Sequence, residues 1–249
     1  MLFDDQGSTV PLTQPVTSVV SLVPSLTEAV AATTPGALVG ATDWCTQPPD
    51  LAVTRVRGTK NPHIEAIDAL KPDLVIANEE ENRRVDIEEL RRRGIAVWVT
   101  RINTVDEALA SMSRLFTEAF DMALPDWLEH AREEWSRPPR EDLRRVALPI
   151  WRKPWRWVGP DTFATDLMSR LGWVNVVPDK RYPLASPDEV AALSPEVIVL
   201  PDEPYHFTAE DDAWFSVPTI HVTGRSLFWY GPAMATAREE LDAAMARVN

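Results

Sequence analysis

Short apolar runs recur along the chain, each followed by a stretch with helical periodicity, and this alternation predicts an α/β fold with parallel sheets. Val19 to Val23 is β-branched, after which Pro24 and Ser25 open a helical pattern with Ser25 and Glu28 at capping-box spacing. Ala37 to Ala41 reads as a second strand, and Thr42 to Asp50 as a loop. Arg57 to Pro62 leads into a helix at His63 to Leu70, and Leu74 to Ala77 is the next strand. A charged helix from Val85 to Arg93 stops at Gly94, and Ile95 to Thr100 is another buried strand. Thr104 and Glu107 have capping-box spacing for a helix that reaches Phe120.

The second half repeats this grammar. His63 to Ile76 reads HIEAIDALKPDLVI and Ser186 to Val199 reads SPDEVAALSPEVIV, an offset of 123 residues (63 to 186). At that offset Glu65 matches Asp188, Ala69 matches Ala192, Leu70 matches Leu193 and Pro72 matches Pro195, which predicts two lobes built on one plan. A helix at Thr162 to Leu171 and extended segments at Val174 to Val177 and Thr219 to Val222 complete the second lobe. Between them, Trp127, Leu128, Ala131 and Trp135 recur at helical spacing behind Pro125. The expected organisation is two Rossmann-like lobes, residues 1–120 and 141–249, joined by one connecting helix over 121–140, with a ligand cleft between the lobes.

Composition narrows the function. With 38 acids against 25 bases in 249 residues the net charge is −13, which argues against a nucleic-acid grip on a basic surface. Cys45 is the single cysteine, so an internal disulfide, a cysteine-rich zinc site and an iron–sulfur cluster are all excluded. No run approaches the roughly 18 apolar residues of a spanning helix. The opening Met1 to Gln14 lacks the basic and apolar stretches of a secretory signal.

Motifs for catalysis are missing: the chain has no phosphate-binding glycine loop, no G-x-S-x-G elbow and no H-E-x-x-H. The four histidines are scattered, and His221, inside an apolar strand, reads as a core residue. Glu79 opens an acidic run just after a strand end, where ligands of open α/β sheets bind. Aromatic residues are the more specific signal. Trp44, the group Trp151, Trp155 and Trp157, and the pair Trp229 and Tyr230 all follow strand ends in segments that read as loops, and such flat side chains suit the clamping of a flat apolar ligand.

Taken together, SLVPSLTEAV, GTKNP, the stretch Ala69 to Asn82, IWRKPW, RYPLASPDEV, PDEPYHF and WYGP resemble the periplasmic binding proteins of the cobalamin and iron-siderophore type, the helical-backbone metal receptors. The match runs from about Val16 to the C-terminus and is closest to vitamin B12-binding members. The resemblance implies a monomeric, non-enzymatic substrate-binding protein that delivers a metal chelate to an ABC permease dimer. No intrinsic cofactor and no metal-ligating residues are expected, and the axial ligand of the chelated metal, if any, stays open. Trp44 and Tyr182 would line the cleft, and the segments Trp151 to Trp155 and Arg225 to Trp229 would face the ligand. Glu65 and Asp188, with Glu189 adjacent, match the acids that dock on the permease.

Three functions remain open at this point. The first is binding of cobalamin or a related corrinoid. The second is binding of an iron(III)-siderophore or haem, with Lys60, Arg152 and Arg225 meeting an anionic chelate. The third is a cytosolic metal-dependent enzyme using Glu79, Glu203 and His206. The family is extracytoplasmic, whereas the signal-free opening fits either a cytoplasmic relative or a chain that lacks its signal.

Overall fold

The computed structural model describes residues 1–12 and 15–248; Thr13 and Gln14, which end the polar opening, and Asn249 lie outside them. The chain divides into two units. One comprises Met1–Ile102, Glu107–Glu129 and Tyr230–Pro232, the other Asn103–Asp106, His130–Trp229 and the segment from Ala233 onward.

In the first lobe, strands β1 (Val19–Ser21), β2 (Leu38–Ala41), β3 (Thr54–Arg55), β4 (Leu74–Asn78) and β5 (Val97–Thr100) form a parallel sheet in the order β3-β2-β1-β4-β5. Val20 pairs with Gly40 on one side and Val75 on the other, and Val75 pairs with Val97. Every residue of β4 and β5 is buried, which is why these strands read as continuous apolar runs without alternation. Helices α1 (Pro24–Thr33), α2 (Ile64–Leu70) and α3 (Arg84–Arg92) connect the strands. Ile67, Ile87 and Leu90 from α2 and α3 pack with Val20, Val75, Val97 and Val99 of the sheet.

The expected capping box on α1 does not form. Val23 precedes the helix, Pro24 opens it, and the Ser25 hydroxyl sits inside the first turn, buried and without a partner among the described residues. At the end of α3, by contrast, Gly94 takes the left-handed conformation (φ 82°) expected of a glycine after the last turn. Helix α4 (Val105–Arg114) continues through a wider turn at Leu115–Ala119 to Phe120.

The first ten residues are part of this lobe. Asp4 is buried and accepts from Arg91 at 2.6 Å, Asp5 pairs with Arg114 at 2.8 Å, and the Asp5 amide donates to the Val99 carbonyl.

Helix α5 (Asp126–Ser136) carries the chain onward, with Leu128, Ala131 and Trp135 on its buried face. The second lobe holds strands β6 (Arg144–Ala147), β7 (Pro149–Arg152), β8 (Trp155–Trp157), β9 (Trp173–Asn175), β10 (Val197–Pro201) and β11 (Thr219–Val222). Its parallel sheet has the order β9-β6-β10-β11, and β7 and β8 form a separate antiparallel hairpin. Helices α6 (Phe163–Arg170), α7 (Pro187–Ala191), α8 (Arg225–Phe228) and α9 (Ala237–Met245) complete it.

The internal repeat extends to strand order and backbone detail. The order β2-β1-β4-β5 in one lobe corresponds to β9-β6-β10-β11 in the other. Just before the matched prolines, Lys71 (φ 47°) and Ser194 (φ 56°) both adopt the left-handed conformation that non-glycine residues rarely take. One residue beyond each proline, a carboxylate anchors the neighbouring strand. Asp73 accepts from the Ser18 amide, and Glu196 accepts from the Arg145 amide, each at 2.8 Å.

Two further details depart from the expectations drawn from the sequence. His221 is no core residue: it is exposed and lies 2.8 Å from Asp212. The strand expected at Val174 to Val177 is Trp173–Asn175. No helix among the described residues is long and apolar enough to cross a membrane.

Candidate functional site

In a parallel sheet the segments following the strands emerge on one edge, and ligands of open α/β sheets bind there. In the first lobe that edge carries Trp44 after β2, Lys60 after β3 and Glu79 after β4. Trp44 is 67% exposed, an unusual state for an indole and one that leaves a broad apolar face in water. Its loop is fixed from beneath, because Arg55 donates to the carbonyls of Thr42 (2.9 Å) and Cys45 (2.8 Å). Cys45 is buried against Thr27 and Thr42, and burial pushes its thiol pKa up, so it packs as a neutral side chain. Gly58 lets the indole lie close to the adjoining turn, since a Cβ there would stand 3.2 Å from Trp44 Nε1 and 2.5 Å from Asn61 Oδ1.

Two buried asparagines, Asn78 and Asn82, hold this edge together. Asn82 Oδ1 accepts from the Asn78 amide (2.9 Å), while its Nδ2 donates to the carbonyls of Thr59 (3.0 Å) and Leu22 (3.3 Å). One amide thus ties together the segments following β1, β3 and β4. Asn78 in turn accepts from the Glu80 amide at 2.9 Å and donates to Thr100 Oγ1 at 3.1 Å. Lys60 Nζ donates to the Glu80 carbonyl (2.5 Å), and Glu79 lies 3.5 Å from Arg101, so both are exposed but already engaged. The two asparagines carry no role in the sequence reading. Their one signal there is a polar residue closing the apolar run Leu74 to Asn78.

In the second lobe Trp151 and Trp155 lie on the β7–β8 hairpin and not in a loop, so strand alternation separates them. Trp155 faces inward and is half-buried. It stacks on Trp157 and Phe207 (centroids 5.9 Å in each case) and meets Phe215 edge-on at 5.7 Å. Trp157, expected in a loop, is fully buried, and its Nε1 donates to the Ala185 carbonyl (2.9 Å). Trp151 faces outward, 43% exposed, with Tyr205 edge-on at 5.6 Å. Tyr182, after β9, is partly exposed under the Arg181 guanidinium, 5.8 Å from its ring centroid. After β11, Trp229 is only 8% exposed, and Arg225 lies over its ring at 5.4 Å. Arg152 forms an ion pair with buried Asp211 and lies over Trp214 at 5.0 Å, so its charge is matched within the lobe. Half-exposed Trp214, at the end of the turn Ala209–Trp214, is an aromatic that the sequence reading did not single out.

The matched acids occupy the first turns of equivalent helices, where the helix dipole favours negative charge. Glu65, exposed on α2, has its pKa lowered by its own backbone amide and then by Arg93, 3.0 Å away. Asp188 is exposed on α7. Its neighbour Glu189 caps that helix: Oε2 accepts from the Ser186 amide (2.6 Å) and hydroxyl (2.8 Å), which lowers its pKa. Among the described residues no three His, Cys, Asp or Glu side chains gather to hold a metal ion. Among the described residues exposed His206 meets the Asp202 carbonyl at 3.3 Å, and Glu203 packs against Gly224.

No protein-family model matches the chain. A vitamin B12-binding protein of Pectobacterium atrosepticum is 25% identical over 249 residues, spanning 93% of this chain and 89% of that protein. A vitamin B12-binding protein of Vibrio cholerae is 28% identical over 213 residues, spanning 80% and 75%. Among solved structures, the periplasmic vitamin B12 binding protein of Vibrio cholerae superposes with a TM-score of 0.76, covering 94% of this chain and 98% of that one at 23% identity. A periplasmic heme-binding protein of Roseiflexus sp. RS-1 superposes with a TM-score of 0.77, covering 94% and 99% at 18% identity. These superpositions show a common two-lobe fold.

Proposed function

We propose that the chain, similar along most of its length to vitamin B12-binding proteins and sharing the two-lobe fold of periplasmic binding proteins, binds a metal chelate, a corrinoid first of all, and hands it to an ABC permease. The observation that carries this reading is Trp44, a large apolar side chain held in water on a loop pinned by Arg55. In the second lobe Trp151 and Tyr182 are proposed as ligand contacts, with Trp155, Trp229 and Arg225 in supporting positions there and Lys60 and Glu79 in supporting positions in the first lobe. Flat apolar contact supplies affinity without a bond from protein to metal, offset by the translational freedom lost on association. Glu65 and Asp188 are proposed to face the permease dimer, whose two-fold symmetry suits a pair of matched acids. Glu189 serves that role only by bracing α7.

A siderophore reading asks for free cations, and two of those it would use are engaged: Arg152 by Asp211 and Lys60 by the Glu80 carbonyl. The corrinoid reading asks for exposed aromatic area, which Trp44 and Trp151 supply. Titration of the protein with cobalamin, read by tryptophan emission, tests it. Saturable quenching with a Kd of about 10 μM or tighter is expected, and Trp44→Ala should weaken binding about tenfold without lowering the melting temperature, since its side chain buries little. Absence of saturable quenching up to about 100 μM, after correction for inner-filter loss, would refute the corrinoid reading. Haem and ferric hydroxamates in the same assay read out the alternatives.

A further inference from the structure

Residues directly opposite one another on antiparallel strands share a face of the sheet. In the hairpin Trp151 is opposite Arg156, and Arg156 is in turn opposite Leu184 in an isolated antiparallel bridge. The three therefore form one row across three chain segments, and all are exposed, Trp151 at 43% and Leu184 at 59%. The next row, Arg152 and Trp155, points to the opposite, aromatic-packed face.

The two faces treat their arginines differently. Arg152 has its charge matched by buried Asp211. Arg156 donates one bond, Nη1 to the Tyr182 carbonyl at 3.1 Å, and has no carboxylate at ion-pairing distance among the described residues. A guanidinium offers five N–H donors in a planar fork suited to oxyanions, so most of this one's capacity is directed to solvent. This cation lies in a row between an exposed tryptophan and an exposed leucine, on a protein of net charge −13.

Resting on the chelate-binding reading above, we infer that the row Trp151–Arg156–Leu184 is a ligand platform and that Arg156 is a specificity-determining residue for it. The two apolar side chains take the flat face of the ligand, and the guanidinium takes an oxyanion carried at its periphery. That oxyanion is the phosphodiester of a corrinoid's nucleotide arm or a carboxylate of a porphyrin. Because Arg156 is exposed and makes a single hydrogen bond, it can be replaced without disturbing the fold.

The test compares wild type, Arg156→Gln and Arg156→Lys with four probes. These are cobalamin, cobinamide (which lacks the phosphodiester arm), haem, and haem with both carboxylates esterified. For a corrinoid, Arg156→Gln should weaken cobalamin about tenfold and cobinamide less than about twofold, while Arg156→Lys keeps most of the affinity. For a porphyrin, the same split should separate haem from its diester. Wild-type binding that Arg156→Gln leaves unchanged, or weakens equally with and without the oxyanion, would overturn the inference and leave chelate binding intact. Failure of wild type to bind any of the four probes would overturn the chelate reading, and the inference with it.

Discussion

Replacing Asn82 by alanine tests whether one buried amide organises the candidate ligand edge of the first lobe. The substitution removes three hydrogen bonds, two of good length (2.9 Å from the Asn78 amide, 3.0 Å to the Thr59 carbonyl) and one longer (3.3 Å to the Leu22 carbonyl). The two shorter bonds are worth about 1 kcal/mol each, and leaving the buried Asn78 amide without an acceptor adds about 1–2 kcal/mol, for a total of about 3–4 kcal/mol. In a chain of this size that corresponds to a fall in melting temperature of roughly 6–16 °C. The segments carrying Lys60 and Glu79 lose their common tie, so chelate affinity should fall as well although Asn82 itself is buried. Calorimetry of wild type and Asn82→Ala, with a cobalamin titration of each below the transition, measures both effects. A melting temperature within about 1 °C of wild type would mean that water satisfies these groups as well as the amide does, and would refute the reasoning.

Glu89 accepts from Arg92 and Arg93 at 2.8 and 2.7 Å, and Arg92 first, then Arg93, holds its pKa down to about 2 from the ordinary 4.5. A depressed carboxylate pKa stabilises the fold fully above pH 4.5 and loses that contribution as pH falls toward 2, so the stability gap between wild type and Glu89→Gln should narrow from pH 5 to pH 3 in urea melts; a constant gap would count against the ion pair. Glu65→Gln with Asp188→Asn should leave chelate affinity unchanged while lowering transporter-dependent uptake of labelled cobalamin. Unchanged uptake would remove the docking role from these acids.

Much of the fold was legible in the sequence because parallel strands covered on both faces must be continuous apolar runs, and Val19–Ser21, Leu74–Asn78 and Val197–Pro201 are such runs. The repeat was legible for a similar reason: the helix, proline and strand of each half sit at one offset, and the same offset relates Lys71 to Ser194 in backbone conformation. Local patterns were less reliable where a neighbour outweighed them. Ser25 and Glu28 have the spacing of a capping box, but Pro24 starts the helix one residue earlier, so Ser25 falls within the first turn.

The candidate site was legible as a set of residue types and hidden as an arrangement. That Trp44, Trp151 and Trp229 follow strands could be read from order along the chain, since order determines which edge of a parallel sheet a segment leaves, whereas Tyr182 entered through the family resemblance alone. Exposure could not be read in this way. Trp44 stands in water while Trp229 is buried under Arg225, and Trp151 and Trp155, four positions apart, face opposite sides because the segment between them turns into a hairpin. The roles of the charged residues lay beyond the sequence for the same reason. Arg152 and Arg156 are alike in the chain, and only tertiary packing brings Asp211 to the first and leaves the second beside a backbone carbonyl. Hydrophobic periodicity encodes which face of an element is buried, but the pairing of one side chain with another depends on segments 20 to 60 residues away, and those distances close only when the chain folds.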